Sequence, residues 1–118
     1  MRTSLVIPAY NEEEGLPLVA KEYLDVVDEV IMVDDGSSDG TFQAAQALVG
    51  GKVKLLRHEV NQGKVAALRT GVLQASGDVI IFTDADNTYP ARYVPQLVQE
   101  IEKGADLVLG ARIQAREN

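Results

Sequence analysis

The stretch EVIMVDDGSSDG, residues 29–40, holds the plan of the chain in small compass. Apolar β-formers run from Val30 to Val33 and stop at Asp34, Asp35 and Gly36. A run without polar alternation suits a strand buried on both faces, as in a parallel sheet. Asp39 then stands where it can cap a helix that carries Phe42, Ala45, Leu48 and Val49, with Gly50 and Gly51 as its stop. The stretch therefore reads as a strand, an acidic turn and a helix.

The same step recurs on both sides. TSLVIP, residues 3–8, reads as a strand stopped by Pro8. Leu16, Val19, Ala20, Tyr23, Leu24 and Val27 follow at helical spacing, with Pro17 in the first turn. KVKLLR (52–57) predicts a third strand, followed by a helix over 63–75 that presents Val65, Leu68, Val72 and Ala75 on one face. DVIIFTD (78–84) predicts a fourth strand, and Val94, Leu97, Val98 and Ile101 mark a fourth helix stopped at Lys103 and Gly104. DLVLGAR (106–112) reads as a fifth strand. Regular alternation of strand and helix argues for an α/β domain, a mostly parallel sheet with helices on both faces.

The 118 residues suggest one domain, 1–118, and 46% hydrophobic content is enough for a core. Without cysteine there is no disulfide or thiolate metal site, which fits a reducing, cytoplasmic setting. A net charge of −7 disfavours nucleic acid as a partner. No apolar run approaches membrane-spanning length, and the first residues carry no signal-peptide pattern.

In such sheets ligands bind beyond the carboxyl ends of the strands, at the switch point. PAYNEEE, DDGSSDG and DADN follow strands one, two and four, so all three should meet at one edge. Asp84 and Asp86 in particular arrive one residue apart. Two carboxylates about 5 Å apart repel by roughly 3 kcal/mol at an effective dielectric near 20. A lone pair of this kind is equally well explained as a cap for the helix near residue 90. With Asp34 and Asp35 at the same edge, four acids point instead to a cation, and oxygen ligands favour Mg²⁺ or Mn²⁺. Asp35 is placed to accept from a nucleobase N–H or a ribose hydroxyl, whereas Asp39 is assigned to capping. Tyr10 offers a ring against which a base can pack. Glu13 and Glu14 are read as acids favoured by a helix N-terminus. Gly63 and Lys64 open a helix whose N–H groups suit phosphate, although a solvated lysine explains Lys64 as well. His58 has no partner pattern and is read as ordinary.

Taken together, VIPAYNEEE, VDDGSSDGT, NQGKVAALRTG, ASGDVIIFTDADNTYP and DLVLGAR resemble the family 2 glycosyltransferases of the GT-A fold, above all the polyprenyl-phosphate sugar transferases. The resemblance implies inverting transfer of a sugar from a UDP- or GDP-sugar to an acceptor, a polyprenyl phosphate or a glycan, with Mg²⁺ or Mn²⁺. It also implies work at the cytoplasmic face of a membrane. By motif, Pro8, Tyr10 and Glu12 would line the nucleoside pocket, with Val33 and Asp35 beside the base. Asp84, Ala85 and Asp86 would form the D-x-D element, with Asp84 and Asp86 as metal ligands and Asp86 the better one. Arg112 would contact the donor. No catalytic base is identifiable. Val65 stands where the family often has glycine, and DADNTYP replaces the commoner DADLQHP. The resemblance further implies that this is the donor-binding part of a longer enzyme, inactive alone, with an uncovered sheet edge that favours a homo-oligomer. Two other readings stand beside it. One is a nucleotide-binding module without catalysis. The other is a phosphoacceptor receiver domain, whose acids should instead follow strands one and three.

Overall fold

The computed structural model describes residues 2–86 and 91–102. The elements are β1 (Thr3–Ala9), α1 (Gly15–Tyr23), β2 (Glu29–Asp35), α2 (Thr41–Gln46), β3 (Val53–His58), α3 (Lys64–Gln74), β4 (Val79–Phe82) and α4 (Val94–Glu102), the last preceded by a 3₁₀ turn at Ala91–Tyr93. The strands form one parallel sheet in the order β3-β2-β1-β4. That is the start of the doubly wound order, and its switch point lies between β1 and β4. The receiver reading fails here, because such domains place β1 beside β3. The expected fifth strand, 106–112, lies outside the described residues.

Side chains alternate along each strand, so one apolar run supplies two cores. Leu5, Ile7 and Ala9 of β1 join Val30 and Met32 of β2 beneath Leu16, Val19, Ala20 and Tyr23 of α1, with Ala45 of α2 and Val94 of α4. Val6, Ile31 and Val33 face the other way, against Ala67 of α3. Leu5, Ile7, Leu16 and Met32 are fully buried, each contributing about 1.5–3 kcal/mol by leaving water.

The helices depart from the sequence reading in three places. First, α1 ends at Tyr23, and Val26 N–H donates to the Tyr23 carbonyl in an i→i+3 turn at 3.1 Å. Val27 still reaches the core, from the connection rather than from the helix. Second, α2 stops at Gln46 by the same device, with Leu48 N–H bonded to the Ala45 carbonyl at 2.9 Å, which leaves Val49 half exposed. Third, the buried face of α3 is carried by Ala67 and Gly71, while Val65 is 72% exposed. A Cβ on Gly71 would lie 2.4 Å from a Val6 methyl. The helix therefore approaches β1 along its small residues, and the larger apolar side chains sit to either side. In α4, Val94 and Val98 join the core as expected, and Leu97 and Ile101 lie outside the described side chains.

At the amino ends of the strands, Glu29 is 1% exposed. It accepts from the Ser4 hydroxyl (2.7 Å), the Ser76 N–H (2.9 Å) and the Ser76 hydroxyl (3.1 Å), and Lys54 pairs with it at 2.7 Å. Burial alone would raise its pKa; Lys54, Ser76 and Ser4 outweigh that and lower it to about 2. One carboxylate thus ties β1, β2, β3 and the turn before β4 together, at the end of the sheet opposite the candidate site.

Candidate functional site

At the carboxyl ends of the strands, two loops lock to each other. Asn11 takes φ +54°, a left-handed conformation that asparagine tolerates better than most residues. Its N–H donates to the Ser37 hydroxyl at 2.9 Å, and its side-chain oxygen accepts from Ser38 N–H at 2.9 Å. Glu12 N–H donates to the Thr41 hydroxyl at 2.9 Å, and that hydroxyl also bonds to the Asp39 carboxylate. Asp39 accepts from Thr41 N–H at 2.9 Å as well, so its capping role stands, exercised from one residue before the N-cap, Gly40. The Thr41 hydroxyl first of all, helped by backbone N–H groups against a smaller opposing effect of burial, lowers the Asp39 pKa.

Gly15, at the start of α1, brings in the third loop. A Cβ there would lie 2.2 Å from the Ala85 carbonyl oxygen. Only a glycine lets the helix start approach the Asp84–Asp86 turn this closely. Gly36, at φ +73°, does the same for the loop after β3, where a Cβ would lie 2.4 Å from the Asn61 nitrogen.

Between these loops is a cavity of about 410 Å³, lined by Pro8, Tyr10, Glu12, Asp35, Asp84, Ala85 and Asp86 among others. It sits at the β1/β4 switch point, and its size suits a small-molecule ligand. Seven of the nine residues singled out from the sequence are thus brought together. Val33 is not among them. Its side chain is fully buried with Val6 and Ile31 under Ala67, because α3 covers that face of β2. Arg112 lies outside the described residues. Nor does the cavity take all four acids. Asp34 points into the protein, accepting from Ser37 N–H at 3.2 Å, with Arg57 Nε 3.7 Å away. That Arg57 guanidinium lies over the Phe42 ring at 4.3 Å.

Asn61, Gly63, Lys64 and Ala67 also line the cavity. The sequence signal for them was NQGK at a helix start. Gly63, at φ +100°, makes the turn into α3. Lys64 is half exposed but not simply solvated, since its ammonium pairs with Asp84 at 2.5 Å. This cation answers part of the repulsion between Asp84 and Asp86.

Asp35 is held more firmly than its place in the sequence suggests. Oδ1 accepts from His58 Nδ1 (2.8 Å) and Gln62 N–H (2.9 Å), and Oδ2 from Asn61 Nδ2 (3.1 Å) and Gly63 N–H (2.9 Å). Burial pushes its pKa up, but the Gln62 N–H, the His58 ring and the Gly63 N–H outweigh burial and hold the pKa low. His58, read as ordinary, is buried and bonded at both nitrogens, its Nε2 standing 2.7 Å from the Thr70 hydroxyl. Its partners are remote in sequence, so no local pattern announces them.

Asp84 and Asp86 can offer oxygen ligands to a divalent ion. Among the described residues no group of three or more acidic, histidine or cysteine side chains is gathered to hold a metal by itself. Two carboxylates suit Mg²⁺ or Mn²⁺ whose remaining ligands are phosphate oxygens and water. Among the described residues, too, no helix is long and apolar enough to cross a membrane.

A parallel sheet with a switch-point cavity between two acidic turns defines an α/β domain of the GT-A type. The chain belongs to glycosyl transferase family 2, whose sequence pattern matches residues 4–118. It is 35% identical to a dolichol-phosphate mannosyltransferase of Pyrococcus furiosus, over 95% of this chain and 33% of that protein. It is 39% identical to an undecaprenyl-phosphate 4-deoxy-4-formamido-L-arabinose transferase of Photorhabdus laumondii, over 99% of this chain and 38% of that one. Among solved structures, the glucosyl-3-phosphoglycerate synthase of Mycobacterium tuberculosis in complex with UDP superposes with a TM-score of 0.73 at 31% identity, over 87% of this chain and 40% of that one. The same enzyme has been crystallised with Mn²⁺, UDP and glucosyl-3-phosphoglycerate, with a TM-score of 0.71 at 31% identity, over 85% of this chain and 39% of that one. The chain thus spans between a third and two-fifths of the length of these relatives.

Proposed function

We propose that this chain binds the nucleoside diphosphate of a nucleotide sugar, and that the protein transfers the sugar to a polyprenyl phosphate with inversion. The observation that carries the reading is the meeting of Asp84 and Asp86 with Tyr10, Glu12 and Asp35 around one switch-point cavity. Tyr10, 49% exposed, offers its ring to the base. Pro8, Asp35 and Asn61 form the wall on the nucleoside side. Lys64 turns from Asp84 toward the diphosphate and offsets its charge. A divalent ion held by Asp84 and Asp86 would neutralise charge on the departing diphosphate.

The acceptor phosphate oxygen attacks the anomeric carbon from the face opposite the leaving group. The new carbon–oxygen bond forms as the bond to the diphosphate breaks, and the electron pair leaves with the nucleotide. A lipid phosphate is already an anion and needs little help from a general base. The UDP-bound relatives make UDP the first nucleotide to test, with GDP tested beside it.

Calorimetry tests the reading. UDP or GDP is expected to bind with Mn²⁺ or Mg²⁺ and to bind poorly in EDTA. Asp86→Asn is expected to lower affinity about tenfold or more, or about 1.4 kcal/mol. Equal affinity with and without metal would rule out the metal role of Asp84 and Asp86. The absence of binding by either nucleotide under all conditions would overturn the donor-site reading.

A further inference from the structure

The donor-site reading leaves the buried His58 without a role. His58 ends β3, is 8% exposed, and is clamped between Asp35 and Thr70. We propose that His58 is a positioning residue of the donor site: through Asp35 it fixes the 61–63 loop, and with it the wall from which Asn61, Gly63 and Lys64 face the nucleotide. The proposal rests on the donor-site reading for its functional part only.

The argument starts from hydrogen-bond capacity. An ionised carboxylate has about four lone-pair sites. Asp35 receives four donors, at 2.8, 2.9, 3.1 and 2.9 Å. Three of these, from Asn61, Gln62 and Gly63, belong to the loop itself. The fourth, His58 Nδ1, comes from the neighbouring strand of the sheet. The loop therefore hangs on the carboxylate, and His58 is the donor that orients the carboxylate against the rigid sheet.

Proton placement supports the same conclusion. The Asp35 pKa is lowered, so its oxygens accept and Nδ1 must carry the proton. On the far side of the ring, the Thr70 hydroxyl lies 2.7 Å from Nε2 and 3.0 Å from the Ala66 carbonyl oxygen. It can give its one proton to either. In the first case the ring is neutral and Nε2 accepts; in the second the ring is protonated and Nε2 donates. The Nδ1–H to Asp35 bond survives in both, so the orientation of the carboxylate does not depend on the charge of the ring. Thr70 also fastens the ring to α3, the helix that the loop leads into. His58 thus ties the sheet, the loop and the start of α3 to one another.

This arrangement also bears on how a nucleobase is met. With all four sites of Asp35 filled from within the protein, a base N–H can reach that carboxylate only by replacing one of the present donors. Asn61 Nδ2 makes the longest of the four bonds and belongs to a solvent-exposed side chain, so it is the donor best placed to yield.

The test uses the full chain and two substitutions. His58→Leu removes both ring nitrogens, whereas His58→Asn keeps an amide N–H near the position of Nδ1. Glu29→Gln, which removes a buried charge at the opposite end of the sheet, serves as a destabilised control remote from the cavity. Two readouts are taken: the amide proton shifts of Gln62 and Gly63 without nucleotide, and the calorimetric affinity for UDP and GDP with Mn²⁺. In His58→Leu both amide protons are expected to move upfield as their bonds to the carboxylate weaken, and affinity to fall about tenfold. His58→Asn is expected to restore most of both, and the control to change neither. Unchanged amide shifts in His58→Leu would overturn the proposal. So would equal loss of affinity in the Leu, Asn and control variants, which would mark the effect as general destabilisation. If the unmodified chain binds neither nucleotide, the donor-site reading falls, while the amide shifts still decide whether His58 positions the loop.

Discussion

Glu29→Gln should make the stability of this protein markedly less dependent on pH. The folded pKa of Glu29 lies near 2, against an ordinary value of 4.5. A difference of that size corresponds to about 3 kcal/mol at neutral pH. Because the folded value is the lower one, the contribution is complete above the unfolded pKa and is lost as pH falls through 4.5 toward 2. By pH 3 about 2 kcal/mol of it should have gone. The other acids with lowered pKa values, Asp28, Asp35 and Asp39, titrate in both proteins and cancel in the comparison. Urea unfolding of the parent and of Glu29→Gln at pH 7, 5 and 3 is the assay. The stability gap should be widest at pH 7 and narrower by about 2 kcal/mol at pH 3. A gap that stays constant across this range would refute the reasoning, since it would mean that Glu29 contributes through shape and not through its charge.

Further outcomes follow from the cavity. Gly15→Ala sets a methyl 2.2 Å from the Ala85 oxygen, so it should cost about 1–3 kcal/mol in thermal or chemical unfolding and weaken nucleotide binding by shifting the Asp84–Asp86 turn. Lys64→Met should leave stability within about 1 kcal/mol, because the Asp84 pair is half exposed, yet weaken nucleotide binding measured by calorimetry; unchanged affinity would return Lys64 to the role of a surface charge. Gly71→Leu should unfold the chain or expel α3 from its seat on Val6, which far-UV circular dichroism and a melting curve would report.

Much of the fold was legible because its signals are local. Apolar runs without alternation marked β1, β2 and β4, and acidic or glycine-rich turns marked where each strand stops. Helix ends were less legible. Leu24, Leu48 and Val49 keep the apolar spacing but sit in i→i+3 turns that the spacing does not distinguish from helix. For α3 the spacing was right only in part. Leu68 and Ala75 pack against the core as expected, but Val65 is exposed, and the helix lies so near β1 that only Ala67 and Gly71 fit between.

The sequence by itself determined the order of elements, the sheet edge at which the acidic turns meet, and the candidates Pro8, Tyr10, Glu12, Asp35, Asp84, Ala85 and Asp86, which do share a cavity. The element order, the edge, Tyr10, Asp35, Asp84 and Asp86 follow from short-range pattern and from the rule that parallel strands deliver their loops to one edge, whereas Pro8, Glu12 and Ala85 follow from the family resemblance. Tertiary structure alone decided which way each side chain at that edge turns. Asp34 and Asp35 are neighbours in sequence, and alternation along β2 sends one toward Arg57 and the other to the cavity. Val33 went under α3, Lys64 crossed to Asp84, and His58 met residues 23 and 12 positions away. Contacts of that kind depend on strand register and on how closely a helix approaches the sheet, and neither quantity is written in any one stretch of the chain.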